Sequence, residues 1–339
     1  MSKATIDDVA ELAGVSIKTV SRVVNNEPNV RAATREKVET AIAALNYRPN
    51  LSARGLAGNK SYVLALVYGH PGAHYVLDIQ EGVLEICRPQ GYDLVVHPAI
   101  YKDKNLTKDI SEFILEKRID GVMLTPPISD HVGVINSLRK HNIPMVRVAP
   151  TENKSLTPYV ETNDREAAYD MTCHLIALGH ERIGFIAGHP DHRAISLRLE
   201  GYKAALIENQ IAIDKTLIEQ GDNSFESGEE AARRLLALEQ KPTAVFAAND
   251  DMAAGVIMAA HKMNLKIPQQ ISVCGFDDTP VAHQLWPALT TIKQPIRAMA
   301  KKATELLLKQ IKGKDVQLPA SILTSTLIVR ESTGKRGKR

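Results

Sequence analysis

The chain has 339 residues, 44% of them apolar, 24% charged and only 4% aromatic. That length exceeds one ordinary domain and points to two or three, and the composition is that of a globular protein whose core is built from Val, Ile, Leu and Ala. No run of about 18 apolar residues occurs, so a membrane span is not expected, and the acids in MSKATIDDVAELAG stand where a secretory leader needs an apolar stretch, so a cytoplasmic, nucleoid-associated protein is expected.

The net charge of +3 is unevenly placed. Residues 1–60 hold nine Lys or Arg against six Asp or Glu, residues 61–334 hold 29 against 33, and the closing GKRGKR adds four more basic residues. A small basic module joined to a neutral-to-acidic body fits a nucleic-acid binder with a separate sensor. Cys87, Cys173 and Cys274 are far apart, odd in number and without metal-ligand spacing, so they read as reduced core thiols.

Thr5 precedes Asp8 by three residues, the spacing of a capping box, and opens a helix through Val9, Ala10 and Ala13. Gly14 stops it. Ser16 can cap a second helix with Val20, Val23 and Val24 on one face. Two helices joined by the short turn AGVS make a helix-turn-helix, whose second helix enters the major groove. Its polar face carries Lys18, Ser21, Arg22 and Asn25, with Ile17 at the exposed start. Arg22 and Lys18 can donate to guanine O6 and N7, and Ile17 can touch a thymine methyl. Ser16, Thr19, Ser21 and Asn25 suit phosphate oxygens.

TIDDVAELAGVSIKTVSRVVNN resembles the opening of the lactose-repressor (LacI/GalR) family of bacterial regulators, and TREKVETAIAALNYRPN resembles that family's third helix and the segment after it. The resemblance implies further DNA contacts at Thr5, Asn29, Tyr47, Asn50 and Ala53. It also implies a hinge helix in NLSARGLAGNKS, residues 50–61, with Leu56 wedging a minor-groove base step. Gly55 departs from the usual side-chain-bearing residue there and lowers helix propensity by about 1 kcal/mol relative to Ala.

From Ser61 the chain alternates short apolar runs with amphipathic stretches. Expected strands are YVLALVYG, YDLVVHPA, DGVMLTPP, IPMVRVAP, RIGFIAG, PTAVFAAND and ISVCGFDD, with helices in DIQEGVLEICRPQGY and GEEAARRLLALEQ. This alternation argues parallel sheets covered on both faces, in two α/β lobes with a cleft between them. Ligands in such sheets bind at the carboxyl ends of strands. There stand Asn249, Asp250 and Asp251, then Asp277 and Asp278, then Gln294, with Ser196 and Arg198 in reach. Amides, carboxylates and an arginine suit a polyhydroxyl ligand, and Tyr68, Tyr75 or Phe276 are candidate aromatic faces.

AND at 248–250, GFDDT at 275–279, LTTIKQP at 289–295, LIALGHERIGFIAG at 175–188 and SLRLEGY at 196–202 also resemble family landmarks. The fold class implied is an all-α helix-turn-helix domain, residues 1–48, and a hinge, 49–60. An α/β two-lobed periplasmic-binding-protein-like effector domain with two parallel-sheet subdomains, residues 61–339, follows. The N-lobe would take about 61–160 and 293–321, the C-lobe about 161–290 and 322–332. Carried over by position, the effector contacts are Arg198, Asn249 and Asp277, with Tyr75 near the entrance and Gln294 in support. Ala149 and Asn223 replace an Asp and a Trp of the lactose repressor, and Arg147 beside Ala149 hints at an acidic or strongly polar ligand group.

No nucleophile elbow, dinucleotide fingerprint or phosphate loop occurs, His189 and His192 lack a third metal partner, and no cofactor is expected. The expected function is a non-enzymatic transcriptional repressor of carbohydrate-utilisation genes. It binds a palindromic operator as a homodimer and is released by a sugar-type effector. The ending LIVRESTGKRGKR lacks the apolar heptads of the family's tetramers. VAHQLWP at 281–287 is the expected dimer contact, with a core position the alternative for Trp286.

Overall fold

A computed structural model describes residues 4–24, 29–47, 60–69, 72–313 and 320–337. The chain forms two compact units, residues 1–62 and 63–339. Asn25, Asn50, Ala53, Leu56 and most of the expected hinge lie outside the described residues.

The first unit packs α1 (Ile6–Ala13), α2 (Ile17–Val24) and α3 (Ala32–Ala44) around Val9, Ala10, Val20, Val23, Val38 and Ala41. The Thr5 side chain accepts from the Asp8 N–H, while Asp8 accepts from the Thr5 N–H and hydroxyl. Gly14 closes α1 at φ 63°, in the left-handed region where a Cβ is penalised. Ser16 Oγ accepts from the Thr19 N–H at 3.2 Å, and Arg35 Nη1 reaches the Val23 carbonyl at 3.5 Å. Both ends of α2 are thus tied down by polar side chains while its valines hold it to the core.

The second unit contains two parallel sheets. The N-lobe sheet is six-stranded, ordered β11-β5-β4-β3-β1-β2, from β1 (Val63–Tyr68), β2 (Asp93–Pro98), β3 (Gly121–Leu124), β4 (Met145–Val148), β5 (Tyr159–Thr162) and β11 (Ala320–Leu323). The C-lobe sheet is ordered β7-β6-β8-β9, from β6 (Ile183–Ala187), β7 (Ile218–Gln220), β8 (Ala244–Ala247) and β9 (Ser272–Cys274). β10 (Thr291–Lys293) and β12 (Thr326–Ile328) form an antiparallel ribbon beside the C-lobe sheet. The strands β3, β4, β6 and β8 are buried throughout, as inner strands of parallel sheets covered on both faces are.

Covering helices are α4 (Ala73–Cys87), α5 (Leu106–Glu116), α6 (Val132–Lys140) and α12 (Ile296–Ile311) in the N-lobe, and α7 (Asp164–Ala177), α8 (Ala194–Glu208), α9 (Phe225–Ala237), α10 (Asp250–Lys262) and the short α11 (Pro280–Gln284) in the C-lobe. In each sheet the strand order reverses once, between β1 and β3 and between β6 and β8, which is where open α/β sheets form a crevice.

All seven expected strands are present. The lobe crossings fall a few residues later than expected: β5 stays in the N-lobe sheet to Thr162, β10 stays with the C-lobe to Lys293, and β11 reaches Leu323 in the N-lobe. α4 begins at Ala73, five residues before the expected helix. Cys87 and Cys274 are core residues, whereas Cys173 is half-buried on α7. Trp286 is 84% exposed and so is not a core residue, while Leu285 packs against the C-lobe core.

Candidate effector cleft and DNA-reading helix

The crevices of the two sheets face one cavity. It is lined from the N-lobe by Gly72 and Tyr75 of the α4 start, Pro126 after β3, Ala149 after β4, and Gln294 and Met299 around the start of α12. The C-lobe contributes Asp164, His192, Ala194, Ile195, Arg198, Asn223, Asn249 and Asp277. About 80 Å³ is open to the centres of water-sized molecules. One water needs about 10–15 Å³ by that measure, so the space suits one small molecule.

Arg198 organises the C-lobe wall. Its Nε donates to Asp164 Oδ1 at 2.9 Å, its Nη1 donates to the Ala248 carbonyl at 2.5 Å, and Nη1 stands 3.6 Å from Asp277 Oδ1. Its Cζ lies 3.7 Å over the centre of the Phe276 ring, a cation–π stack that fixes the guanidinium plane. Asp277 sits just past β9 at φ 119°, a conformation costly for an L-residue. Its N–H donates to the Ile292 carbonyl at 2.7 Å and its Oδ1 accepts from Gln294 Nε2 at 2.5 Å, so the backbone is held by neighbours. Burial pushes the Asp277 carboxyl up to about 6, against the lowering pull of Arg198 and Gln294. Burial, reinforced by Asp164 and Asp277, likewise raises the Tyr75 phenol, which stays a neutral hydroxyl.

The expected effector residues separate into two groups. Tyr75, Arg198, Asn249, Asp277 and Gln294 come together in the cavity. Tyr68, Arg147 and Ser196 do not line it. Tyr68 is half-buried at the end of β1 and Ser196 is exposed on α8. Arg147 is fully buried and turned into its own lobe. Nε donates to Thr157 Oγ1 at 2.8 Å, Nη1 to the Ser129 and Glu152 carbonyls at 3.1 and 2.9 Å, and Nη2 to the Asn153 carbonyl at 2.6 Å. Those bonds hold it away from the cavity, which it does not line. Phe276 is buried beneath Arg198 rather than in the cavity wall.

Asn249 has a bracing part: its Oδ1 accepts the Met252 N–H as the cap of α10 and its Nδ2 donates to the Asn223 carbonyl. Asp250 is turned inward, accepting from Thr291 Oγ1 at 2.6 Å and the Thr279 N–H at 2.8 Å, and burial pushes its carboxyl well up. The sequence reading missed Asp164, whose Oδ2 also accepts from Thr162 Oγ1. The signal was present in TND at 162–164, an acid after a strand and at a helix start. Among the described residues no group of three or more metal-binding side chains occurs, and no described helix is long and apolar enough to cross a membrane.

On α2, Ile17 is 48% exposed, and Lys18 and Arg22 are exposed, while Thr19 and Ser21 are half-buried. Thr5 and Asn29 are exposed, and Tyr47 packs its ring against the three-helix core.

Residues 5–50 match the bacterial regulatory proteins of the lacI family, and residues 172–333 match the periplasmic binding protein-like domain. The transcriptional repressor PurR of Photobacterium profundum is 34% identical over 97% of this chain and 98% of its own. The Lac repressor dimer solved with operator and the anti-inducer ONPF superimposes with a TM-score of 0.82 at 33% identity, over 98% of this chain and all of that one. The regulator CelR in complex with cellobiose gives 0.74 at 30% identity, over 97% and all. These likenesses run the length of both units, and the chain belongs to the LacI family of DNA-binding transcriptional regulators, which are not enzymes.

Proposed function

We propose that the chain represses carbohydrate-utilisation genes from the cytoplasm, binding a palindromic operator as a homodimer and letting go when a sugar-type effector fills the cleft. The observation that carries this reading is the set of polar groups left free in the cavity. Among contacts of the described residues, Tyr75 keeps its hydroxyl, Asp277 its Oδ2, Gln294 its Oε1, Arg198 its Nη2 and Asn223 its amide nitrogen. Donors and acceptors from both lobes converge on one small space, which suits the paired hydroxyls of a sugar. The likeness to a regulator solved with cellobiose supports the same class.

In this reading Lys18 and Arg22 reach guanine edges while Ile17 meets a thymine methyl. A dimer presents two such helices to half-sites one turn, about 34 Å, apart. Trp286, exposed and with its carbonyl 3.3 Å from His261 Nε2 on α10, is the apolar group offered to the dimer contact. The effector acts by favouring one lobe angle over another, and shifts DNA affinity only by its preference between the two. Fluorescence anisotropy on duplexes selected from a random pool tests the reading. Arg22→Ala should weaken binding to the selected operator by tenfold or more and flatten the preference over random DNA. A wild-type protein with no duplex preference, with or without sugars, refutes it.

A further inference from the structure

We propose that the cleft selects a neutral polyhydroxyl effector and rejects ligands bearing phosphate or carboxylate groups. This rests on the cleft being the effector site, and it turns on where the cavity's charges already go. Among the described residues Arg198 is the only Arg or Lys lining the cavity. Its guanidinium lies between the carboxylates of Asp164 and Asp277, at 2.9 and 3.6 Å. Two acids against one cation leave the wall acidic rather than basic. The second arginine in the neighbourhood, Arg147, is engaged by four oxygen acceptors outside the cavity, with Asp130 at 3.9 Å. Asp251 adds further negative character at the edge, near Gly72.

One feature works in the opposite direction. The N-termini of α4, α7, α8 and α10 all reach the cavity, and helix N-termini favour anions. Two of these four ends carry their own carboxylates in the first turn, Asp164 and Glu166 on α7, Asp250 and Asp251 on α10. The ends of α4 and α8 carry none. An incoming phosphate would meet those two helix ends but would also be desolvated beside Asp164 and Asp277, and charge repulsion in a partly dry site outweighs a helix end. A hydroxyl pays no such penalty and finds acceptors in Asp277 Oδ2 and Gln294 Oε1.

The test uses crystals of the full chain equilibrated with equal concentrations of inorganic phosphate and glycerol, for the wild type and for the doubly neutralised Asp164→Asn, Asp277→Asn variant. The wild-type cavity should hold glycerol or water and no phosphate, and the variant, whose Arg198 is no longer neutralised, should take phosphate. Where the double variant does not fold, the wild-type crystals and the comparison in solution carry the test. Phosphate in the wild-type cavity overturns the proposal, and so does its absence from a folded variant. In solution, glucose should bind at least tenfold more tightly than glucose 6-phosphate, and a phosphate ester binding as tightly as its parent sugar gives the same refutation. Failure of operator binding would remove the regulator reading while leaving this charge preference measurable.

Discussion

Arg147, on strand β4 of the N-lobe, and Arg198, on helix α8 of the C-lobe, are both buried. Their partners set them apart. Arg147 meets carbonyls and a hydroxyl from the loop after its own strand and from Ser129, and Asp130 braces that loop by accepting the Thr151 and Glu152 N–H groups. Arg198 meets two carboxylates, both of which line the cavity. A planar guanidinium serves both tasks. Neutral acceptors that close around it make a strut, while a carboxylate with one oxygen left free makes a surface for ligand.

The largest expected effect breaks the strut. Arg147→Ala removes the donors to three carbonyls and leaves Asp130 without its cation, at a cost on the order of 3–5 kcal/mol. Arg147→Lys should recover little, since an ammonium cannot span acceptors held by a fork. Denaturant unfolding measures both, and a loss under 1 kcal/mol for the alanine variant would show that the loop does not depend on this residue. Arg198→Ala should cost somewhat less, about 2–4 kcal/mol, because Asp277 lies against the cavity while Asp164 is left buried and unpaired. It should also abolish the effector response that Arg147 variants retain per folded molecule. Isothermal titration of both variants decides, and equal loss of binding would erase the contrast.

The intermediate effect lies on pH. Because burial raises Asp277 to about 6, the folded chain holds this proton to higher pH than the unfolded chain. Its ionisation therefore subtracts stability as pH climbs from the ordinary carboxylate range through about 6, and the loss is complete above that. Asp277→Asn should remove this part of the slope and narrow the gap between unfolding midpoints at pH 5 and pH 8. An unchanged gap would assign the slope to other groups. His180 acts with the opposite sign: burial depresses it, with bonds to Thr243, Ser272 and the Gly334 carbonyl around it. Its contribution is present above the usual histidine range and lost as pH falls below it, so it opposes the Asp277 slope.

Local signals made much of this legible in the sequence. The Thr5–Asp8 box and Gly14 act within one helix and its cap, so spacing alone locates them. Strand ends announce Asn249 and Asp277 because a buried run stops at a polar residue. The lesson of the two arginines lay beyond that reach. Whether Arg147 points into its own lobe depends on a turn at 149–153, where Ala149 and Asn153 take positive φ and carry carbonyls back over the side chain. Arg198 finds Asp164 across 34 residues, through the packing of α7 on α8. Side-chain direction and long-range pairing come from tertiary packing, and no periodicity encodes them.

The smallest effect concerns how the lobes meet. Two ion pairs cross from the loop after β6 to the N-lobe, Asp191 to Lys102 at 3.1 Å and Arg193 to Glu152. At least one side chain of each pair is well exposed, so each pair contributes about 0–1 kcal/mol and global unfolding should barely register Lys102→Ala with Glu152→Ala. Lobe opening is different, because states that interconvert in a regulator differ by only a few kcal/mol. The same double substitution should enlarge the radius of gyration measured by X-ray scattering at low salt, and wild type should approach that value as salt screens the pairs. A radius indifferent to both salt and substitution would place closure in the cavity itself, with Asp277 and Gln294 joining the two lobes at the β10–α12 crossing.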